Sequence, residues 1–120
     1  MIGAWITKYD KEPFPFHMRV FCADGMMQQA NSGAGDATTS DSDGKGIWVT
    51  EGGHIRGKWV EIRVDRATHG YVGRGEITFD ARVSCDRSFD AAVARFYDPS
   101  GKLIDRPVDT PVSGERVTLP

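Results

Sequence analysis

Apolar side chains recur at every second position along most of this chain, and glycine-containing turns interrupt them at close intervals. That alternation predicts short antiparallel strands. The expected strands are Gly3–Tyr9, Phe14–Ala23, Met26 to about Asn31, Gly46–Glu51, His54–Thr68, Tyr71–Cys85, Asp90–Asp98 and Leu103 to about Val117. Ser88–Tyr97 could also be a helix, with Ser88 as its cap and alanines at 91, 92 and 94. Strand is preferred there because Val93, Phe96 and Tyr97 run straight into a hairpin turn, Asp98-Pro99-Ser100-Gly101. Proline cannot donate to a ladder, so Pro107 and Pro111 belong at an edge or a bulge.

The turns set the topology. Asp24-Gly25, Gly52-Gly53 and His69-Gly70 each read as a two-residue hairpin loop, in which glycine tolerates positive φ. With His69-Gly70 as the loop, Ile62 faces Ile77 and Val60 faces Phe79, while Arg63 meets Glu76 and Asp65 meets Arg74. A loop of Asp86–Phe89 would set Phe79 beside Phe96 and Asp80 beside Arg95, although a three-residue loop fits nearly as well. All these connections join neighbours, so the fold class expected is all-β: an up-and-down antiparallel meander of about eight strands. Closure into a barrel removes the two open edges. Residues 1–120 are expected to form one such domain. Ser32–Lys45 has no large apolar side chain, and reads as a flexible surface loop or a lid over the barrel mouth.

Each strand offers two faces. Phe16, Met18, Val20, Cys22, Val60, Ile62, Val64, Ile77, Phe79, Ala81, Val83, Ala92, Ala94 and Phe96 lie on one, and the cost of burying charge favours turning it inward. His17, Arg19, Phe21, Trp59, Glu61, Arg63, Asp65, Arg74, Glu76, Asp80, Arg82, Arg95 and Tyr97 lie on the other. The reverse orientation would give a mixed, water-filled or catalytic lumen and would need an oligomer partner over the apolar face. Asp80 or Glu61 would then be the acid or base, and Arg63 or Arg95 the anion stabiliser. Exposed cross-strand ion pairs are the plainer reading of those charges.

Composition narrows the chemistry. With 15 basic and 17 acidic residues interspersed, the net charge is −2 and no basic run suggests nucleic acid. No apolar stretch is long enough to span a membrane. No charged n-region precedes an apolar segment, so a cytoplasmic location without a signal peptide is expected. Cys22 and Cys85 are too few for a disulfide framework and read as buried free thiols. His17 is the best acid–base candidate of three histidines, since His54 and His69 stand at turns. No histidine spacing suits zinc, and Asp41-Ser42-Asp43-Gly44 begins a calcium loop but lacks its closing glutamate at position 50. No nucleophile elbow, phosphate loop or dinucleotide fingerprint occurs.

Gly3-Ala4-Trp5 at the head of the first strand resembles the Gly-x-Trp that opens lipocalins and other calycin barrels. A later Gly46-Ile47-Trp48 and the turn Asp98-Pro99-Ser100-Gly101 continue the likeness to short bacterial calycin-like proteins, without a C-terminal helix or paired cysteines. The resemblance implies a small-molecule cavity inside the barrel, in a family that ranges from carriers of apolar ligands to haem binders and non-oxidative cyclases and isomerases. The expected ligand is a small, mostly apolar organic molecule, with no cofactor or metal and with a monomeric or homodimeric protein. Its expected contacts are Trp5, Phe16, Met18, Val20, Met27, Trp48, Val60, Ile62, Ile77, Phe79, Phe96 and Tyr97. His17, Arg19 and Asp80 are the candidates for proton transfer in a cofactor-free cyclase, isomerase or lyase. The alternatives are a carrier, or an accessory protein with a solidly packed barrel.

Overall fold

The computed structural model describes residues 1–10 and 12–120, and they build one closed antiparallel barrel. The strands are β1 Gly3–Tyr9, β2 Phe16–Phe21, β3 Met26–Asn31, β4 Thr39–Asp41, β5 Gly44–Glu51, β6 His54–Asp65, β7 Tyr71–Ser84, β8 Arg87–Tyr97 and β9 Leu103–Arg116. Eight of them follow one another around the wall, and β9 closes on β1 from Tyr9↔Val112 to Trp5↔Arg116. The short β4 is the extra strand. It pairs with the far end of β6, beyond the stretch that β5 covers, so β4 and β5 behave as one strand interrupted at Ser42-Asp43. The up-and-down meander and its closure are as the alternation predicts. Pro107 falls in the irregularity of β9 between Ile104 and Val108, whereas Pro111 stands in the ladder opposite Ala91. Among the described residues, no helix is long and apolar enough to cross a membrane.

Two registers differ from expectation, with opposite consequences. The β7–β8 loop is the two-residue Cys85-Asp86, with Cys85 at φ 54, so Phe79 faces Ala92 and Asp80 faces Ala91. That displacement is even, so the inward face of β8 is the expected one. Between β6 and β7 the loop is longer than His69-Gly70. The Asp65 carboxylate accepts the N–H groups of Ala67 and Thr68, both at 2.8 Å, and His69 takes the left-handed conformation. This loop alone also moves the pairing evenly. A bulge that leaves Val72 unpaired then adds one residue, between Val64↔Tyr71 and Arg63↔Gly73. One residue exchanges the faces of a strand. Trp59 therefore lies beside Ile77 and Glu61 beside Gly75, while Val60, Ile62 and Val64 turn outward.

The same correction applies to β2. Phe16, Met18 and Val20 stand outside, and His17, Arg19 and Phe21 point in. Both β2 and β6 thus follow the reverse orientation, whereas β7 and β8 keep Ile77, Phe79, Ala81, Ala92, Ala94 and Phe96 inside. The exterior of β1 and β2 carries a strip of Ile6, Phe16, Met18 and Val20, in which Ile6 pairs with Met18 and Phe16 is 59% exposed.

Other expectations are revised locally. Asp24-Gly25 belongs to a three-residue loop closed by Cys22 N–H to Met26 O at 2.9 Å. Cys85 is exposed and Cys22 half-buried, so neither is a buried thiol. Ser32–Lys45 is folded rather than unstructured. It contains β4 and the start of β5, and Asp36 holds the N–H groups of Thr38 and Thr39 at 2.8 and 2.7 Å.

The β6–β7 bulge depends on Gly73. Its φ is +134°, and a Cβ there would lie 1.9 Å from the Tyr97 carbonyl oxygen. Gly73→Ala combines backbone strain with a backbone clash, and should cost more than about 2 kcal/mol in denaturant unfolding. A variant as stable as the parent would show that this bulge does not hold the register.

Candidate functional site

The barrel interior has two halves. Trp5, Phe21, Met27, Phe79, Ala81 and Val112 pack together at one end. Above them lies the guanidinium of Arg19, which is 1% exposed. A buried arginine keeps its charge, so every face of it needs a partner. Nε and Nη2 donate to the Tyr9 hydroxyl at 3.2 and 2.7 Å, and Nη1 is paired with the Asp90 carboxylate. Its carbon lies 5.0 Å from the ring centre of Trp59 and 4.8 Å from that of Phe79, close enough for cation–π attraction. Burial raises the pKa of Asp90, and the Arg19 charge and hydrogen bond offset only part of that shift. Its Oδ1 has no partner among the described residues.

Beyond Arg19 the barrel opens into a cavity of about 780 Å³. Ile77, Ala92, Ala94, Phe96 and Trp59 give it apolar walls, and Tyr9, His17, Gln29, Asp41, Glu61, Arg63 and Thr110 bring polar groups to it. Residues 32–37 and Phe14 form its rim. Arg66 fixes that rim, since its Nε donates to the Asp36 carbonyl at 2.8 Å and its backbone N–H to Thr38 O at 2.9 Å.

Trp59, Glu61 and Arg63 occupy successive inward positions of β6. Ionisation of Glu61 is unfavourable because it is buried and because the negative Asp41 is near. These effects raise its pKa from 4.5 to about 7. Arg63 and the Trp59 N–H offset little of this. Arg63 directs its Nε to Asp41 at 3.2 Å and stacks on Phe96, and the indole N–H falls short of a full hydrogen bond with Glu61. Glu61 is therefore poised to exchange a proton near neutral pH.

His17 is held neutral. Burial lowers its pKa to about 4, against the Phe14 carbonyl, which accepts from Nε2 at 3.1 Å. Nδ1 then accepts from Gln29 Nε2–H at 2.9 Å, and the ring stacks on Tyr9.

The expected proton-transfer residues do not converge. His17 lines the cavity, Arg19 is sealed beneath it, and Asp80 is outside, paired with His54 Nδ1 at 2.8 Å. Of the expected ligand contacts, Ile77 and Phe96 line the cavity. Trp5, Met27 and Phe79 belong to the packed end. Trp48 donates to Cys22 O at the closed end, and Tyr97 stacks with Arg74 on the outer wall. Phe16, Met18, Val20, Val60 and Ile62 cannot reach the cavity, because their strand faces are outside. Glu61 and Arg63 were legible through the reverse orientation. Gln29 and Thr110 carried no signal, being single polar residues whose inward placement depends on register, and Asp41 stood out only as the start of an incomplete calcium loop.

Among the described residues, no three His, Cys, Asp or Glu side chains gather as metal ligands. No family model matches the chain, and no significant match is found among curated proteins or solved structures. The site is therefore defined by its geometry: a closed antiparallel barrel, half packed and half hollow.

The raised pKa of Glu61 links stability to pH. Between pH 4.5 and about 7 the folded chain keeps a proton that the unfolded chain releases, so stability falls as pH rises through this window, by up to ~3 kcal/mol. Glu61→Gln removes the dependence. In urea titrations across pH, the variant should gain on the parent from pH 4.5 upward and level off above about 7. Parallel stability profiles would contradict a buried, near-neutral carboxyl.

Proposed function

We propose that this calycin-like barrel binds a small, mostly apolar organic molecule in its open half. Glu61 transfers a proton on that molecule without a cofactor, in the manner of an isomerase, cyclase or lyase. One observation carries this reading: a ligand-sized cavity with apolar walls encloses a single buried carboxyl whose pKa lies at about 7. Proton transfer falls to Glu61, since His17 has both ring nitrogens engaged and Asp80 is outside. Arg63 is placed to stabilise negative charge developing on the substrate. A cytoplasmic protein, as a monomer or as a homodimer that covers the strip of Ile6, Phe16, Met18 and Val20, completes the proposal.

The carrier reading draws on a different observation. The Arg63 guanidinium is already engaged by Asp41, which would leave Glu61 to hold a ligand rather than turn it over.

Ligand-observed NMR with a fragment library tests binding. Aromatic and alicyclic fragments should bind the parent, and Ala94→Trp, which fills the cavity, should abolish their binding while unfolding remains cooperative. A library without one cavity binder overturns the reading. For a substrate so identified, Glu61→Gln should lower kcat by about 10²–10⁴ with binding retained. Unchanged turnover would remove Glu61 from the chemistry, and binding without turnover in the parent would identify a carrier.

A further inference from the structure

The deep wall of the cavity holds two buried polar atoms of opposite kind without partners. Gln29 is 2% exposed, and its Oε1 meets no donor. The orientation of this amide follows from its neighbours. The Phe14 carbonyl can only accept, so His17 Nε2 carries the proton. His17 Nδ1 is then the acceptor, and Gln29 must turn its NH2 toward it. The amide oxygen is left over. Trp59 is also 2% exposed, and its Nε1–H, whose nearest acceptor is the Glu61 carboxyl, makes no full hydrogen bond to it. Both side chains line the cavity.

The two side chains flank Gly44. Gln29 is the register partner of Gly44 across β3 and β5. A Cβ on Gly44 would stand 2.2 Å from Trp59 Cδ1 and 2.9 Å from Nε1, so the indole edge occupies the place a side chain would take. A buried donor or acceptor without a partner destabilises the fold, and a ligand group that pairs with both would remove that cost.

A hydroxyl group is the smallest ligand group that both accepts and donates. Tyr9 and His17, stacked with ring centres 4.0 Å apart, and Phe96 give the adjoining walls aromatic surface. We propose that the cavity selects hydroxylated aromatic compounds, phenols and their enol equivalents, whose hydroxyl accepts from Trp59 Nε1–H and donates to Gln29 Oε1. Glu61, next inward from Trp59 on β6, then stands beside the most acidic group of the ligand. This rests on the small-molecule reading above and narrows it to one chemical class.

Three probes of nearly equal shape test it on the intact chain: 2-naphthol, 2-methoxynaphthalene and naphthalene. The expected order is naphthol at least about ten-fold tighter than the ether, which accepts but cannot donate, with naphthalene weakest. The Trp59 indole N–H resonance should shift downfield with naphthol and not with naphthalene. Trp59→Phe and Gln29→Met should each reduce the naphthol advantage to under about two-fold while the naphthalene Kd is kept. Equal binding of the three probes in the cavity would overturn the hydroxyl assignment and leave the small-molecule reading standing. An advantage that survives both substitutions would overturn it too, and the probe comparison needs no variant to fold. Absence of all three probes, together with a fragment library that yields no cavity binder, would overturn the broader reading instead.

Discussion

The guanidinium of Arg19, on the barrel axis, is the constraint around which the interior is arranged. It cannot shed its charge, and it is remote from water. Tyr9 from β1, Asp90 from β8, Trp59 from β6 and Phe79 from β7 meet it from four strands. Those contacts fix where the packed end stops. Below the guanidinium the core is built of large aromatic side chains, and above it the inward positions of β8 carry the small Ala92 and Ala94, which leave space. A wall of larger side chains there would have closed the barrel throughout.

The meander, its closure and most strand bounds could be read from alternation and turns, because period-two patterning and glycine placement act locally. The lining of the lumen could not. Hydrophobicity places Val60 and Ile62 inside, and Trp59 and Glu61 outside. A single bulged residue, Val72, inverts that choice. Nothing in the tripeptide Tyr71-Val72-Gly73 marks it apart from the glycine. The β7–β8 hairpin shows the complement: its register also differed from expectation, yet by an even number, and Ala92, Ala94 and Phe96 remained inside. Parity of the error, more than its size, decided which candidate residues survived.

Burial cost misled on β2 for a related reason. Alone, Arg19 is an expensive inward residue, and Met18 and Val20 are natural core residues. The cost disappears only when Tyr9 and Asp90, separated from Arg19 by 10 and 71 positions, arrive beside it. Pairing across such distances has no local signature.

The same irregularities that obscure the site also create it. The Val72 bulge turns Glu61 and Arg63 inward. The interruption at Ser42-Asp43, where Ser42 exchanges hydrogen bonds with Ile62, sets Asp41 opposite Arg63. Arg63 is thereby drawn to Asp41, and Glu61 keeps its burial without a dedicated counter-ion. Perfect alternation through both places would have put Glu61 and Arg63 on the outer wall as an ordinary solvated pair. A carboxyl that titrates near neutrality inside a barrel thus follows from two one-residue departures from the pleat. Such departures persist where the groups they bring together compensate for the loss of ladder regularity.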